Sequence, residues 1–235
     1  MFCFTGGIRI SSRAMKGALL DLLYPRECAG CGARIGEPDR LAFCAGCDGR
    51  LEWIAPPACP RCGAAASRGA CGECAGREFR FAGATALGKY EGRLRDFVLA
   101  LKFRGSRYLA DEFGRRLASA VVRKVDLVVP VPMSRWKLLF RGYNAASLVA
   151  ERMALHAGLP FSSRALRKIR RTRPQAELER EERLTNPQGA YRASGVRGVV
   201  LLVDDVLTTG ATANACTEAL RAGGATEVHV AVVAR

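Results

Sequence analysis

Two sets of residues in this chain have the types and spacing to do chemistry. The first is cysteine. Eight of the ten cysteines form four C-x-x-C pairs: Cys28/Cys31, Cys44/Cys47, Cys59/Cys62 and Cys71/Cys74. Two residues between thiols let one tight turn offer thiolates to adjacent corners of a tetrahedron, the geometry zinc takes. Glycine and other small residues around the pairs (CAGCG, CAGC, CPRCG, CGEC) permit the positive φ such turns need. Structural disulfides or a redox C-x-x-C explain the pattern less well, because one spacing recurs four times and no secretion signal precedes it. Eight thiolates provide two four-cysteine zinc sites. Sequential pairing gives two ribbons, and an interleaved pairing stays open. Four protein ligands leave no position for water, so both sites are expected to be structural. So small a module hardly folds without its metal.

Residues 199–212, VVLLVDDVLTTGAT, carry the second set. An apolar run delivers two adjacent carboxylates, Asp204 and Asp205, and a Thr/Gly-rich turn leads into the next helix. Ligands of open α/β sheets bind at the carboxyl ends of strands. Free N–H groups at a helix start, aided by the helix dipole, bind phosphate. Thr208, Thr209 and Thr212 add hydroxyl donors, and Gly210 lets the main chain come close. Carboxylates do not suit phosphate; they suit sugar hydroxyls, which donate to them, or a metal. One turn therefore offers a phosphate cradle with ribose clamps beside it. A doubly acidic phosphotransfer metal site is the alternative, but such a site does not require TTGAT after its acids.

The elements that must position these residues can be read from periodicity. GATALGKY reads as a strand, and GRLRDFVLALKF repeats Leu94, Phe97/Val98 and Leu101 at helical spacing. YLADEFGRRLASAVVRK is a second amphipathic helix, and DLVVPVP a buried strand that ends at its prolines. NAASLVAERMALHAG is a helix that Asn144 caps and Gly158 closes. GVVLLVDD, ATANACTEALRAGG and EVHVAVVA complete a strand, a helix and a strand. Apolar strands alternating with helices predict an α/β domain with a parallel sheet covered on both faces. Neither G-x-G-x-x-G nor G-x-x-x-x-G-K-[ST] occurs, which removes the main support for a Rossmann or P-loop reading. Cysteines vanish after Cys74, so the boundary falls at AGREFRFAG. Residues 1–20 read as an N-terminal extension, 21–78 as the double ribbon and 79–235 as the α/β domain. Leu51 and Trp53, in LEWIAPPACP, read as the small core of a spacer between the ribbons.

The chain has 235 residues, 49% of them apolar and 25% charged, which fits a soluble globular protein with one core and a small satellite. No apolar run approaches the roughly 18 residues that span a bilayer. The basic first 25 residues make a poor signal peptide; Met15 is a plausible start. A formal net charge of +15 reads either as a solvated surface or as attraction to polyanions. His156, His229 and Cys216 read as structural, and Cys3 as a free thiol.

The turn after Asp205 resembles the 5-phosphoribosyl-1-pyrophosphate (PRPP) loop of type I phosphoribosyltransferases. More broadly, residues 17–235 resemble the ComF family, also called competence protein F or GntX-like. The matching blocks are LLDLLYP, LKFRG, VVPVPMSRWKLLFRGYN, PQAELEREER, NPQGAY, the acid turn and the terminal VAR. The resemblance implies a type I phosphoribosyltransferase-like sheet behind an N-terminal double zinc ribbon. It implies that Asp204 and Asp205 hold the ribose hydroxyls, while Leu207, Thr208, Thr209, Gly210, Ala211 and Thr212 enclose the 5′-phosphate. Mg²⁺ would accompany PRPP. The stretch after DLVVPVP lies where this fold places its pyrophosphate loop, so Arg135, Lys137 and Arg141 are candidates there, joined by Lys102 and Arg104 of LKFRG. Residues 164–183 lie where transferases carry a mobile hood. One departure is Ala145, where the family commonly has Gln after the RG[FY]N asparagine.

The resemblance also implies cytoplasmic work in natural transformation, with single-stranded DNA and a helicase-like competence protein as partners. Three functions compete: a PRPP-binding protein of DNA uptake, an active phosphoribosyltransferase of unknown acceptor, and a zinc adaptor whose transferase fold is a relic. The intact DDVLTTGAT argues against the last. The acceptor, the catalytic residues and the oligomeric state are not legible.

Overall fold

Long runs of Val, Leu and Ala with no polar alternation form strands only where both faces are covered. The computed structural model places them so, and describes residues 27–35, 42–66, 71–121, 123–170 and 187–235. The chain divides into two units, Met1–Gly49 and Arg50–Arg235.

The smaller unit is organised around its thiols. Cys28 N–H donates to Ala33 O at 2.8 Å and Gly32, at φ +72°, turns the chain back between them. Glu27 and Arg34 form an antiparallel bridge, and Ala45–Asp48 make a single helical turn behind Cys44.

The larger unit is built on four parallel strands: β1 (Gly83–Gly88), β2 (Leu127–Pro130), β5 (Gly198–Val206) and β6 (Ala225–Ala234), in the order β1-β6-β5-β2. The helices are α1 (Gly92–Phe103), α2 (Leu109–Ala120), α3 (Arg135–Arg141), α4 (Ala145–Ala157) and α5 (Ala211–Ala222). Two short antiparallel strands, β3 (Leu166–Lys168) and β4 (Tyr191–Ala193), pack against α5. The expected parallel sheet is present. Val128, Val129, Val200, Leu202, Val228, Val230 and Val232 form its fully buried heart.

Three details differ from the sequence expectations. First, Arg135–Arg141 is helical rather than loop, closed by Gly142 at φ +72°, and Arg135–Phe140 are all exposed. Second, Asn144 stands at the start of α4 but makes no side-chain cap; its Nδ2 donates to Val131 O at 2.9 Å, tying the exit of β2 to the helix. Third, Leu51 and Trp53, expected as the small core of a spacer, belong to a stretch held against the sheet: Leu51 is buried, and residues 52–54 pair with the sheet edge. They run beside β1: Ile54 N–H donates to Leu87 O and Lys89 N–H to Glu52 O, both at 2.8 Å. The Arg116 guanidinium covers the Trp53 ring at 4.5 Å. Satisfying the open edge of a sheet outweighs local packing in so short a segment. Residues 171–186, most of the expected hood, lie outside the described residues.

Candidate functional site

Strand β5 pairs along both edges, with β2 and β6, and its register carries Asp204 and Asp205 to the carboxyl end of the sheet. There a cleft of about 250 Å³ is lined by Tyr90, Lys102 and the continuous stretch Asp204–Ala213. The structure thus brings together the acid pair, Lys102 and all six residues of the expected phosphate turn. Arg135, Lys137 and Arg141, which sit on α3, do not line it.

Adjacent carboxylates in a partly buried cleft repel one another and need compensation. Lys102, at the end of α1, supplies part of it: its Nζ lies 2.8 Å from Asp205 Oδ1. Asp204 Oδ1 accepts the Asp205 N–H at 2.9 Å. Burial first, and the Asp205 charge second, push the Asp204 carboxyl up to about 8, against the pull of Lys102.

The turn that follows leaves backbone donors unengaged among the described residues. Gly210 stands before α5 at φ +85°, a conformation that side chains resist. Leu207 N–H is taken by Ala234 O at 3.0 Å, and Ala211 N–H reaches Thr209 Oγ1 at 3.3 Å. The N–H groups of Thr208, Thr209 and Gly210 meet no protein acceptor among the described residues. Buried or half-buried backbone donors are almost always paired. Gly210 is buried, Thr209 half-buried and Thr208 exposed, and all three precede the positive end of a 12-residue helix, where free N–H groups favour an anion.

The segment before β1 braces this turn. Arg77 Nη1 donates to Thr208 O at 3.1 Å, and a Cβ on Gly210 would lie 2.7 Å from the Phe79 ring. Sequence reasoning missed this contact, and also Glu52, whose carboxylate accepts the N–H groups of Arg93 and Leu94 at 3.3 and 3.1 Å at the start of α1. Neither has a local sequence signal, because the partners stand 131 and 41 positions apart.

The eight paired cysteines gather sequentially, Cys28, Cys31, Cys44 and Cys47 in one group and Cys59, Cys62, Cys71 and Cys74 in the other, with all sulfurs of a group within 4.8 Å. Zinc–sulfur bonds of about 2.3 Å in a tetrahedron separate the sulfurs by about 3.8 Å. The Cys31–Cys44, Cys59–Cys74 and Cys62–Cys71 sulfurs are 3.8, 3.6 and 3.7 Å apart. Burial pushes the Cys28 thiol up, yet N–H donors from Cys44, Gly30 and Cys31 outweigh it and bring it down to about 6. Cys59 is likewise raised by burial but brought down to about 7 by the Cys62 and Arg61 N–H groups and by neighbouring thiols. Arg235 adds a further sign. Its side chain is only 5% exposed; neither Nη1 nor Nη2 has a hydrogen-bond partner among the described residues, and Nη2 lies 3.8 Å from the exposed Glu73 carboxylate. Burial leaves the Cys62 thiol well above its ordinary value, against the pull of the Ala64 N–H and of the Arg235 charge. Four thiolates around a bound Zn²⁺ would carry excess negative charge and so add to the counter-charge that Glu73 gives this cation. The donor set fits zinc at both sites.

His156 contacts Asp111 at 3.1 Å, and His229 contacts Glu227 at 2.6 Å; both stand away from the cleft. Cys216 is buried in the core on α5. Among the described residues no helix is long and apolar enough to cross a membrane.

Comparison with known proteins gives two family matches. Residues 19–75 match the double zinc ribbon domain, and residues 143–235 the phosphoribosyl transferase domain. Competence protein F of Haemophilus influenzae is 27% identical over 208 residues, covering 82% of this chain and 90% of that protein. Competence protein ComFC of Streptococcus pneumoniae is 29% identical over 195 residues, covering 81% and 86%. The DNA utilization protein YhgH of Salmonella typhimurium is 28% identical over 184 residues, covering 73% and 81%. Among solved structures, an allosteric regulatory enzyme of purine biosynthesis overlaps 57% of this chain and 30% of its own, with a TM-score of 0.37 and 22% identity.

Proposed function

We propose that the chain, which is similar to competence protein F and YhgH over most of its length and matches a double zinc ribbon and a phosphoribosyl transferase domain, binds PRPP at the acid turn and serves DNA uptake in the cytoplasm. One observation carries the reading: two carboxylates at a strand tip, followed at once by three unengaged amides at a helix start. Ribose 2′- and 3′-hydroxyls donate to Asp204 and Asp205. The 5′-phosphate accepts the N–H groups of Thr208, Thr209 and Gly210. Mg²⁺ would accompany the diphosphate and screen its charge. Lys102, released from Asp205 when the hydroxyls arrive, is the cation nearest at hand for the diphosphate. Arg135, Lys137 and Arg141 take part in this site only if α3 moves, and the geometry favours a different role for them.

That role is contact with single-stranded DNA. Phe103, Tyr108, Trp136 and Phe140 are 54–88% exposed. Arg141 lies over the Phe103 ring at 4.2 Å, which joins the end of α1 to α3 in one face. Neither residues 97–110 nor 127–150 contain an acid, while Lys102, Arg104, Arg107, Arg135, Lys137 and Arg141 fall within them. Exposed aromatics among cations suit stacked bases and phosphates. The names of the relatives, competence and DNA utilization, support the same reading.

Whether the site turns PRPP over is decided by experiment. Wild-type protein is titrated with PRPP and Mg²⁺, and pyrophosphate release is followed with and without single-stranded DNA. Binding without release fits a PRPP-dependent DNA-handling protein. Release that requires DNA makes the chain a transferase, an acceptor atom of the DNA bonding to the anomeric carbon as the bond to pyrophosphate breaks; release without DNA is hydrolysis by water. Absence of binding overturns the proposal. A helicase-like competence protein as partner is tested separately, by co-purification with the full-length chain.

A further inference from the structure

The second cysteine site stands next to the phosphate turn, and its exit segment is fixed on both sides. On the metal side, Arg77 N–H donates to Cys74 O at 3.1 Å, and Arg61, between Cys59 and Cys62, donates from Nη2 to Arg77 O at 3.1 Å. Arg61 also sits over the Phe79 ring at 5.6 Å. On the cleft side, Arg77 Nη1 reaches Thr208 O at 3.1 Å and Phe79 packs against Gly210. Asn214 closes the arrangement from α5: its Oδ1 accepts Arg80 N–H and its Nδ2 donates to Glu78 O, both at 2.8 Å.

A turn whose N–H groups face an anion must direct carbonyls elsewhere, and those carbonyls need donors of their own. Thr208 O finds its donor in Arg77, a charged one, so the bond is stronger than a neutral pair. Gly210 owes its closeness to Phe79 to having no Cβ. Both braces come from a segment that begins one residue or a few after a zinc ligand. Four-cysteine sites of this size hold their shape through the metal.

We propose that the Cys59–Cys74 site is a positioning device for the phosphate turn: Arg77 and Phe79, carried on its exit segment, hold Thr208–Gly210 in the form that receives a 5′-phosphate. This rests on the PRPP reading and adds to it a route by which the state of a structural metal site sets affinity in the cleft. Arg77 touches no reacting atom; it is a positioning residue.

The test uses the full-length, zinc-loaded chain and the variants Arg77→Met, Arg77→Lys and Phe79→Leu. Affinities for PRPP and for ribose 5-phosphate are measured together with zinc content and with deuterium exchange over residues 203–214. Loss of one charge-assisted hydrogen bond predicts about tenfold weaker binding of both ligands to Arg77→Met. Exchange is expected to rise across 207–213 and nowhere else, with zinc content unchanged. Arg77→Lys should recover part of the affinity. Phe79→Leu, which keeps the hydrogen bond and loosens only the packing, should give a smaller loss of the same kind. Wild-type binding with no change in either Arg77→Met or Phe79→Leu, in affinity or in local exchange, overturns the inference. Failure of the wild type to bind either ligand defeats the PRPP reading instead; exchange over 207–213 then still decides whether Arg77 holds the turn.

Discussion

Glu52 offers a sharp test of how the larger unit is held together. The first N–H groups of a helix have no partner within it. At α1 the residue in the cap position, Glu91, makes no side-chain cap bond. The donors of Arg93 and Leu94 turn instead to Glu52, 41 and 42 positions earlier, at 3.3 and 3.1 Å. Both bonds are longer than the strongest charge-assisted ones, so each is placed near 1 kcal/mol, about 2 kcal/mol together, a value typical of a good cap. Glu52→Ala should therefore lower the midpoint of thermal unfolding by about 4–8 °C for a unit of this size. Glu52→Gln, which keeps an acceptor and loses the charge, should cost about half. Glu91→Ala should shift it by no more than about 1–2 °C, since its contact with Lys89 is an exposed ion pair. Burial pushes the Glu52 carboxyl up, but the N–H groups of Leu94 and Arg93 outweigh it and leave it below its ordinary value. Its contribution is therefore present above the ordinary carboxylate range and is lost as pH falls through the lowered value. The gap between wild type and Glu52→Gln should close in acid. Scanning calorimetry at matched zinc decides the matter. Equal midpoints for wild type and Glu52→Ala, or a larger loss from Glu91→Ala, would refute the reasoning.

Other consequences are as direct. Asp204, held near pH 8, keeps a proton that the unfolded chain releases at about pH 4, so its contribution to stability falls as pH rises between the two. Asp204→Asn should be more stable than wild type at pH 8.5 and equal to it near pH 3.5 by chemical denaturation. PRPP, whose hydroxyls donate to the ionised form, should bind more tightly to the wild type as pH rises through 8, and Asp204→Asn should lose that dependence in calorimetric titrations across pH. Gly210→Ala meets both a φ of +85° and the Phe79 ring, so a loss of about 1–2 kcal/mol in stability is expected, with phosphate binding lost as the turn shifts. Metal analysis should find about two zinc ions per chain. Cys62→Ser should leave about one, with a lower unfolding midpoint.

Much of the fold and part of the site were legible in the sequence, for identifiable reasons. The strands at VVLLVDD and EVHVAVVA are buried on both faces, so composition alone marks them. The four C-x-x-C pairs announce their chemistry by spacing, although only the folded chain shows that they group in sequence order. The acid turn is local, and its residues needed no distant partner to be noticed. Arg135–Arg141 was not legible as a helix because it has no buried side: its apolar residues face outwards, so periodicity carries no signal. Asn144 is a good cap by type, but the carbonyl of Val131 competes for its side chain and wins. Lys102 was expected at the diphosphate, and the structure adds its pairing with Asp205. The Glu52 and Arg77 contacts join positions far apart in the chain, and a single sequence holds no trace of such pairings.

The central claim is that the strand tip of β5 and the start of α5 together receive a phosphorylated ribose. Isothermal titration of PRPP with Mg²⁺ at pH 8.5 into the wild type and into Asp204→Ala/Asp205→Ala tests it most directly. Each lost hydroxyl–carboxylate bond is worth about 1.5–3 kcal/mol, so the double variant should bind at least about a hundredfold more weakly. Inorganic phosphate, which uses only the amides of Thr208–Gly210, should bind both proteins about equally. A wild type without measurable heat, or a double variant as tight as the wild type, would contradict the account.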